Sequence, residues 1–251
     1  MFSLRQNARD GQVGDGRDVA IAGFTLLEMM ISMAVLLVVT GAVFEQLIVM
    51  QRKAAAEAMK VDSGQQAREF IDQTVRDLHL AGYPKSSMYS TTLDNTSSQV
   101  AAGLVSLSPT RMILEGDVNS EGVVYSVNIS YVASDPNDPK CPCVRRTATQ
   151  KIPGDPLTGQ NLSPSYSEVE HVMPPGTGPG GSGEDLFTYF DQNGNPVDLS
   201  TGSDISTPQG QINLGNVRTI KINLSMLTSS VAAGSGETTR TSLTGTARIE
   251  Q

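Results

Sequence analysis

The chain has 251 residues and a net charge of −8 at pH 7, with an isoelectric point near 4.8, two cysteines, two histidines and no tryptophan. That balance disfavours nucleic-acid binding, which needs a basic face. Two sulfurs and two scattered histidines do not complete a tetrahedral metal site or a recognised nucleophile constellation, so neither a metal nor an enzymatic activity is expected.

Residues 1–23 carry Arg5, Arg9 and Arg17 against Asp10, Asp15 and Asp18, so this stretch is neutral and the remainder carries the whole −8. An apolar run follows from Phe24 to Phe44, roughly 31 Å long as a helix and sufficient to cross a bilayer's hydrocarbon core. It is too long for the apolar part of a conventional signal peptide, and no small-x-small cleavage site clearly follows it. Within the run stands one carboxylate, Glu28. An ionisable group deep in a membrane costs about 2.5–3.5 kcal/mol and calls for a partner. The nearest cations in sequence are Arg17 and Arg52, too far along the chain to supply one. Either Glu28 reaches the headgroups or its partner comes from another molecule.

All 13 prolines lie beyond Gly82. Proline breaks helices, so a single helix is expected from Phe24 to about Ala81, roughly 87 Å long. Phe70, Ile71, Thr74, Val75 and Leu78 recur at helical spacing, and Arg68, Glu69, Asp72, Gln73, Arg76 and Asp77 are expected on the opposite, solvated face. The apolar stripe should pack on a globular domain. Gly41 and Gly64 each weaken the helix by about 1 kcal/mol relative to alanine. Close packing against neighbouring helices explains Gly41, whereas bending or melting and close packing both remain open for Gly64. Gly82, with Pro84 beyond it, suits the helix stop.

Residues 83–251 read as a β-rich domain. Arg111–Glu115 and Val123–Ala133 form a hairpin pattern. Further strands are expected at Val144–Lys151, Ser167–Val172, Leu186–Asp191, Val217–Leu227 and Thr238–Ile249. The fold class is α+β, an antiparallel sheet packed on the carboxyl half of the long helix. Met173–Gly183 is rich in Pro and Gly and reads as a flexible loop. Cys141-Pro142-Cys143 offers a disulfide clamp of its own loop or intermolecular pairing, and the one-residue spacing makes an intraloop ring strained. Asp191–Asp198 alternates oxygen ligands but lacks the Gly and Glu that an EF-hand loop requires. A hairpin turn at Asn193-Gly194 is the preferred reading and calcium the minority one. His79 and His171 read as surface or packing residues. Arg145, Arg146 and Lys151 are the one modest basic cluster.

Gly23 followed by Phe24-Thr25-Leu26-Leu27-Glu28 and an unbroken apolar helix resembles the amino-terminal signature of type IV prepilins and type II secretion pseudopilins. The resemblance implies cleavage by a prepilin peptidase between Gly23 and Phe24, N-methylation of Phe24, and pairing of Glu28 with the amino terminus of a neighbouring subunit. Residues 1–23 would be the leader, 24–44 the transmembrane part, 45–82 the amphipathic continuation and 83–251 the globular domain. The leader departs from the usual short, basic pattern, ending Asp18-Val19-Ala20-Ile21-Ala22-Gly23. Arg76-Asp77-Leu78 running into Ala81-Gly82-Tyr83 looks like the helix end of PilW-like minor pilins, with J-type pseudopilins second. The resemblance implies an inner-membrane protein, amino terminus in the cytoplasm and domain in the periplasm, that joins a pilus or pseudopilus. Its partners would be other major and minor pilins, the inner-membrane assembly platform and membrane lipid, with no cofactor and no nucleic acid. An alternative of another class is a single-pass anchor carrying an adhesive or binding β domain.

Overall fold

The computed structural model describes residues 24–91, 93–162, 165–176, 184–199, 202–228 and 239–249. The expected leader, Gly23 and most of the Pro/Gly loop, residues 177–183, lie outside them. The chain forms two compact units that meet between Ile48 and Val49.

One helix, α1, runs from Leu26 to Leu80 and passes through Gly41 and Gly64 without interruption. No proline interrupts the donor ladder, which is why so long an element persists. It starts at Leu26 because Thr25 caps it: the Glu28 amide donates to Thr25 Oγ1 at 3.3 Å and to the Thr25 carbonyl at 3.0 Å. At the other end Gly82 takes φ +82° and gives its N–H to the Glu115 carbonyl, so the chain leaves the helix directly onto a strand.

In the unit beginning at Val49, the described residues form nine strands: β1 Gly103–Leu107, β2 Arg111–Gly116, β3 Tyr125–Val132, β4 Cys143–Gln150, β5 Tyr166–Val169, β6 Phe187–Phe190, β7 Ser203–Asp204, β8 Thr219–Thr228 and β9 Thr239–Arg248. A second helix, α2, covers Pro208–Asn216. The strands form two antiparallel sheets, β5-β4-β3-β2-β1-β7 and β6-β8-β9. The α+β layout follows from the sequence, but the strands split between two sheets rather than joining one. The hairpin of β2 and β3 pairs in continuous register from Arg111↔Ser130 to Gly116↔Tyr125.

Ala67, Phe70, Ile71 and Leu78 of α1 share one buried core with Leu104, Met112, Leu114, Val127, Ile129 and Val144 of the larger sheet and Ile220, Ile222, Leu224 and Met226 of the smaller. Alternation along each strand puts these residues on one face. Helix and sheet also approach closely at β9. A Cβ added to Gly245 would stand 2.2 Å from Ile71 Cγ2, so only glycine admits the helix there.

Sequence patterning did not reveal β1, β7 or α2. β1 and β7 are short and bounded by small residues, and α2 contains Pro208, Gly210 and Gly215 within nine residues. The signal for α2 is Thr207-Pro208: the threonine side chain accepts from the Gly210 amide at 3.0 Å, and proline occupies the first turn, where no intrahelical donor is needed.

Candidate processing and assembly site

The amino-terminal end of α1 presents its apolar side chains without cover. Phe24 is 73% exposed, and all described residues from Phe24 to Leu47 are exposed. By length and composition this is a helix able to cross a membrane. Thr25-Leu26-Leu27-Glu28 has the spacing of a capping box, a signal in the sequence that the charge argument passed over. Thr25 does its part by accepting from the Glu28 amide. The Glu28 carboxylate does not complete the box: among the described residues its side chain makes no hydrogen bond or ion pair. Glu28 is therefore an unengaged acceptor on an exposed apolar helix, one turn from Phe24. Gly23 lies outside the described residues.

At the carboxyl end of α1 the expected polar face is corrected at one position. Asp77 is 1% exposed and receives Arg146 Nε at 2.9 Å. Helical geometry places Asp77 beside Thr74 and Leu78 on the packed stripe, and the arginine on β4 makes its burial tolerable. Burial pushes the Asp77 carboxyl up, opposed by the Arg146 guanidinium. Its second oxygen has no partner among the described residues.

The basic cluster also dissolves. Arg145 binds Asp135 at 2.7 Å and Asp138 at 3.0 Å, Arg146 binds Asp77, and Lys151 binds Glu115 Oε2 at 2.6 Å with both side chains fully buried. Each cation is consumed inside the domain, so these residues offer no face to a polyanion.

Cys141 and Cys143 are joined by a disulfide within their own loop. With Asp138 they are the one grouping of potential metal donors among the described residues, and both sulfurs are held in that bond. Arg145 Nη2 lies 3.8 Å from Cys141 Sγ, and the Val172 amide donates to the Pro142 carbonyl at 2.8 Å, fixing the loop beside the strand end. In the loop after β6, Asp191 Oδ1 accepts from the amides of Asn193 and Asn195, each at 2.8 Å, and Gly194 adopts φ +79°. These backbone donors hold the Asp191 carboxyl below its ordinary range. The segment is a tight turn returning to Pro196, in which the Asn193 and Asn195 N–H groups take up the Asp191 carboxylate. His79 sits in the last turn of α1, and His171 in a positive-φ position before the Pro/Gly loop.

These features define a chain with an apolar amino-terminal anchor and a β-rich domain built on the same helix. Residues 20–44 match the model of the prokaryotic N-terminal methylation motif. No curated protein and no solved structure matches the chain significantly. The motif, with the long apolar helix behind it, marks a type IV prepilin-like protein. Processing by a prepilin peptidase and assembly with other pilins are what that motif implies.

Proposed function

We propose that the protein is a minor pilin-like subunit, inserted in the inner membrane with its amino terminus in the cytoplasm and its domain in the periplasm. Residues 1–23 are the leader, 24–44 span the membrane, and 45–82 continue the helix into the domain of 83–251. Prepilin peptidase cuts between Gly23 and Phe24, and the new terminus is methylated on Phe24. The processed subunit then packs by its apolar helix into a type IV pilus or the complex that primes one. Its work is assembly rather than catalysis.

The observation that carries this reading is the unengaged Glu28 one turn into the methylation-motif helix. In lipid an unpaired carboxylate is costly, and the amine freed by cleavage of a neighbouring subunit supplies the opposite charge. The same arrangement accounts for the exposed side chains along residues 24–44, which have lipid or neighbouring helices as their only apolar cover. The PilW-like assignment rests on Ala81-Gly82-Tyr83, where Gly82 turns the chain onto β2.

Amino-terminal sequencing and intact mass of the protein from wild-type and peptidase-deletion cells test the proposal. The expected result is a chain beginning with methylated Phe24 in the first and an uncut chain in the second. Identical mass and terminus in the two strains would refute it.

A further inference from the structure

β9 is the outer strand of the smaller sheet and pairs on one side with β8, in unbroken register over all ten of its residues. No described strand pairs with its other side. Asn223 gives its amide to the Leu186 carbonyl on the β6 side of β8, so the ladder towards β9 runs through Ile220, Ile222, Leu224 and Met226. Their partners on β9 are Ala247, Gly245, Leu243 and Thr241. Alternation then turns the backbone N–H and C=O groups of Arg240, Ser242, Thr244, Thr246 and Arg248 away from β8. All five residues are exposed, and those outward groups have no backbone partner among the described residues. The open edge from Arg240 to Arg248 is roughly 27 Å long.

Length and charge together define what fits there. The other sheet edges among the described residues are short, four residues in β5 and β6 and two in β7. Long edges are ordinarily blunted by proline, a bulge or an inward-pointing charge, and β9 has none of these. In a chain of net charge −8 the strand carries Arg240 and Arg248 and no carboxylate. Glu237 and Glu250, which flank it in sequence, lie outside the described residues. A second copy pairing antiparallel in full register would set Arg240 opposite Arg248 at both ends, and like charges directly opposite are destabilising. The strand that fits instead carries carboxylates at two positions eight residues apart. On the inner face Leu243 packs against the core, so the added residues beside it are apolar and β-branched.

We infer that β9 receives an added antiparallel strand from an acidic partner polypeptide, with carboxylates opposite Arg240 and Arg248. Main-chain hydrogen bonds along the edge supply the affinity, and the two charge pairs fix the register and choose the partner. The site belongs to the β-rich unit and does not depend on how the amino terminus is processed.

The test uses the full-length protein in nanodiscs of neutral lipid and fluorescence anisotropy of a labelled nonapeptide, Glu-Val-Thr-Val-Thr-Val-Thr-Val-Glu, beside a version with lysine in place of both glutamates. The acidic peptide is expected to bind about tenfold more tightly than the lysine one, and the double variant Arg240→Glu, Arg248→Glu to reverse that order. N-methylation of the peptide's central threonine removes the main-chain donor aimed at Thr244 and should abolish binding. Thr244→Pro removes the matching donor on β9, whose N–H points away from β8, so the melting temperature should hold while binding is lost. If that variant melts early, the N-methylated peptide decides. Equal affinity for the acidic and lysine peptides, or undiminished binding of the N-methylated peptide, would overturn the inference. So would undiminished binding by a stably folded Thr244→Pro, or no binding of the acidic peptide at millimolar concentration.

Discussion

Replacing Lys151 by methionine removes a buried cation while nearly preserving its volume. In the native domain the ammonium donates to Asn95 and Val100 carbonyls at 2.7 Å each and to Glu115 Oε2 at 2.6 Å, with both charged side chains fully inaccessible. After the substitution the two carbonyls lose their donor, and among the described residues the Glu115 carboxylate keeps the Ala102 amide and the Ser126 hydroxyl. Breaking one side of a buried pair costs about 3–5 kcal/mol, most of it from the charge left behind. For a domain of this size each kcal/mol shifts the melting temperature by roughly 2–4 °C, so a fall on the order of 10 °C is expected. Thermal unfolding followed by circular dichroism, at fixed lipid and salt, measures it. Adding Glu115→Gln to the same chain removes the stranded charge and should restore at least about half of the loss. A single variant melting within about 1 °C of wild type would refute the reasoning, because the pair would then be dispensable to the fold.

Asp77 gives a pH signature of known sign. Burial raises its folded-state carboxyl above the ordinary 3.8, so the folded state binds the proton more tightly than the unfolded one. Its contribution is then fully present below the ordinary value and is lost as pH rises through the raised one. Urea titrations should show wild type losing stability relative to Asp77→Asn as pH rises above about 4, and parallel profiles would contradict the assignment. Gly245→Ala should destabilise the domain by about 1–3 kcal/mol by driving a methyl group into Ile71, with Ile71→Ala recovering part of it; an unchanged denaturation midpoint would refute the contact. Glu28→Ala should leave insertion and cleavage intact but reduce incorporation into sheared filaments several-fold, and normal incorporation would show the carboxylate is dispensable.

The long helix, its membrane-compatible start and the mostly antiparallel domain behind it are legible in the sequence. They depend on local properties: a run of apolar residues, proline confined beyond Gly82, a short apolar run in β2 and alternation in β3 and β8. The Gly23-Phe24-Thr25-Leu26-Leu27-Glu28 junction is legible for the same reason, since its motif is contiguous. Within the regular elements, the position that misled was Asp77, because helical periodicity assigns a face by residue type and cannot see a partner 69 residues away.

Charge pairing and cavity formation belong to the tertiary structure. Arg145, Arg146 and Lys151 read as a basic cluster along the chain, yet antiparallel pairing and the packing of α1 deliver a separate carboxylate to each. A cleft beside Lys85 joins the helix exit, the approach to β1, α2 and Ile249, segments whose closeness no local pattern encodes. The amino-acid sequence determined where the chain can be helical, where it can enter a membrane and where it must turn, because backbone and hydrophobic preferences act over a few residues. Only the tertiary structure decided which charges are neutralised, which polar groups are buried and where a cavity is left, because those outcomes depend on side chains brought together from distant parts of the chain.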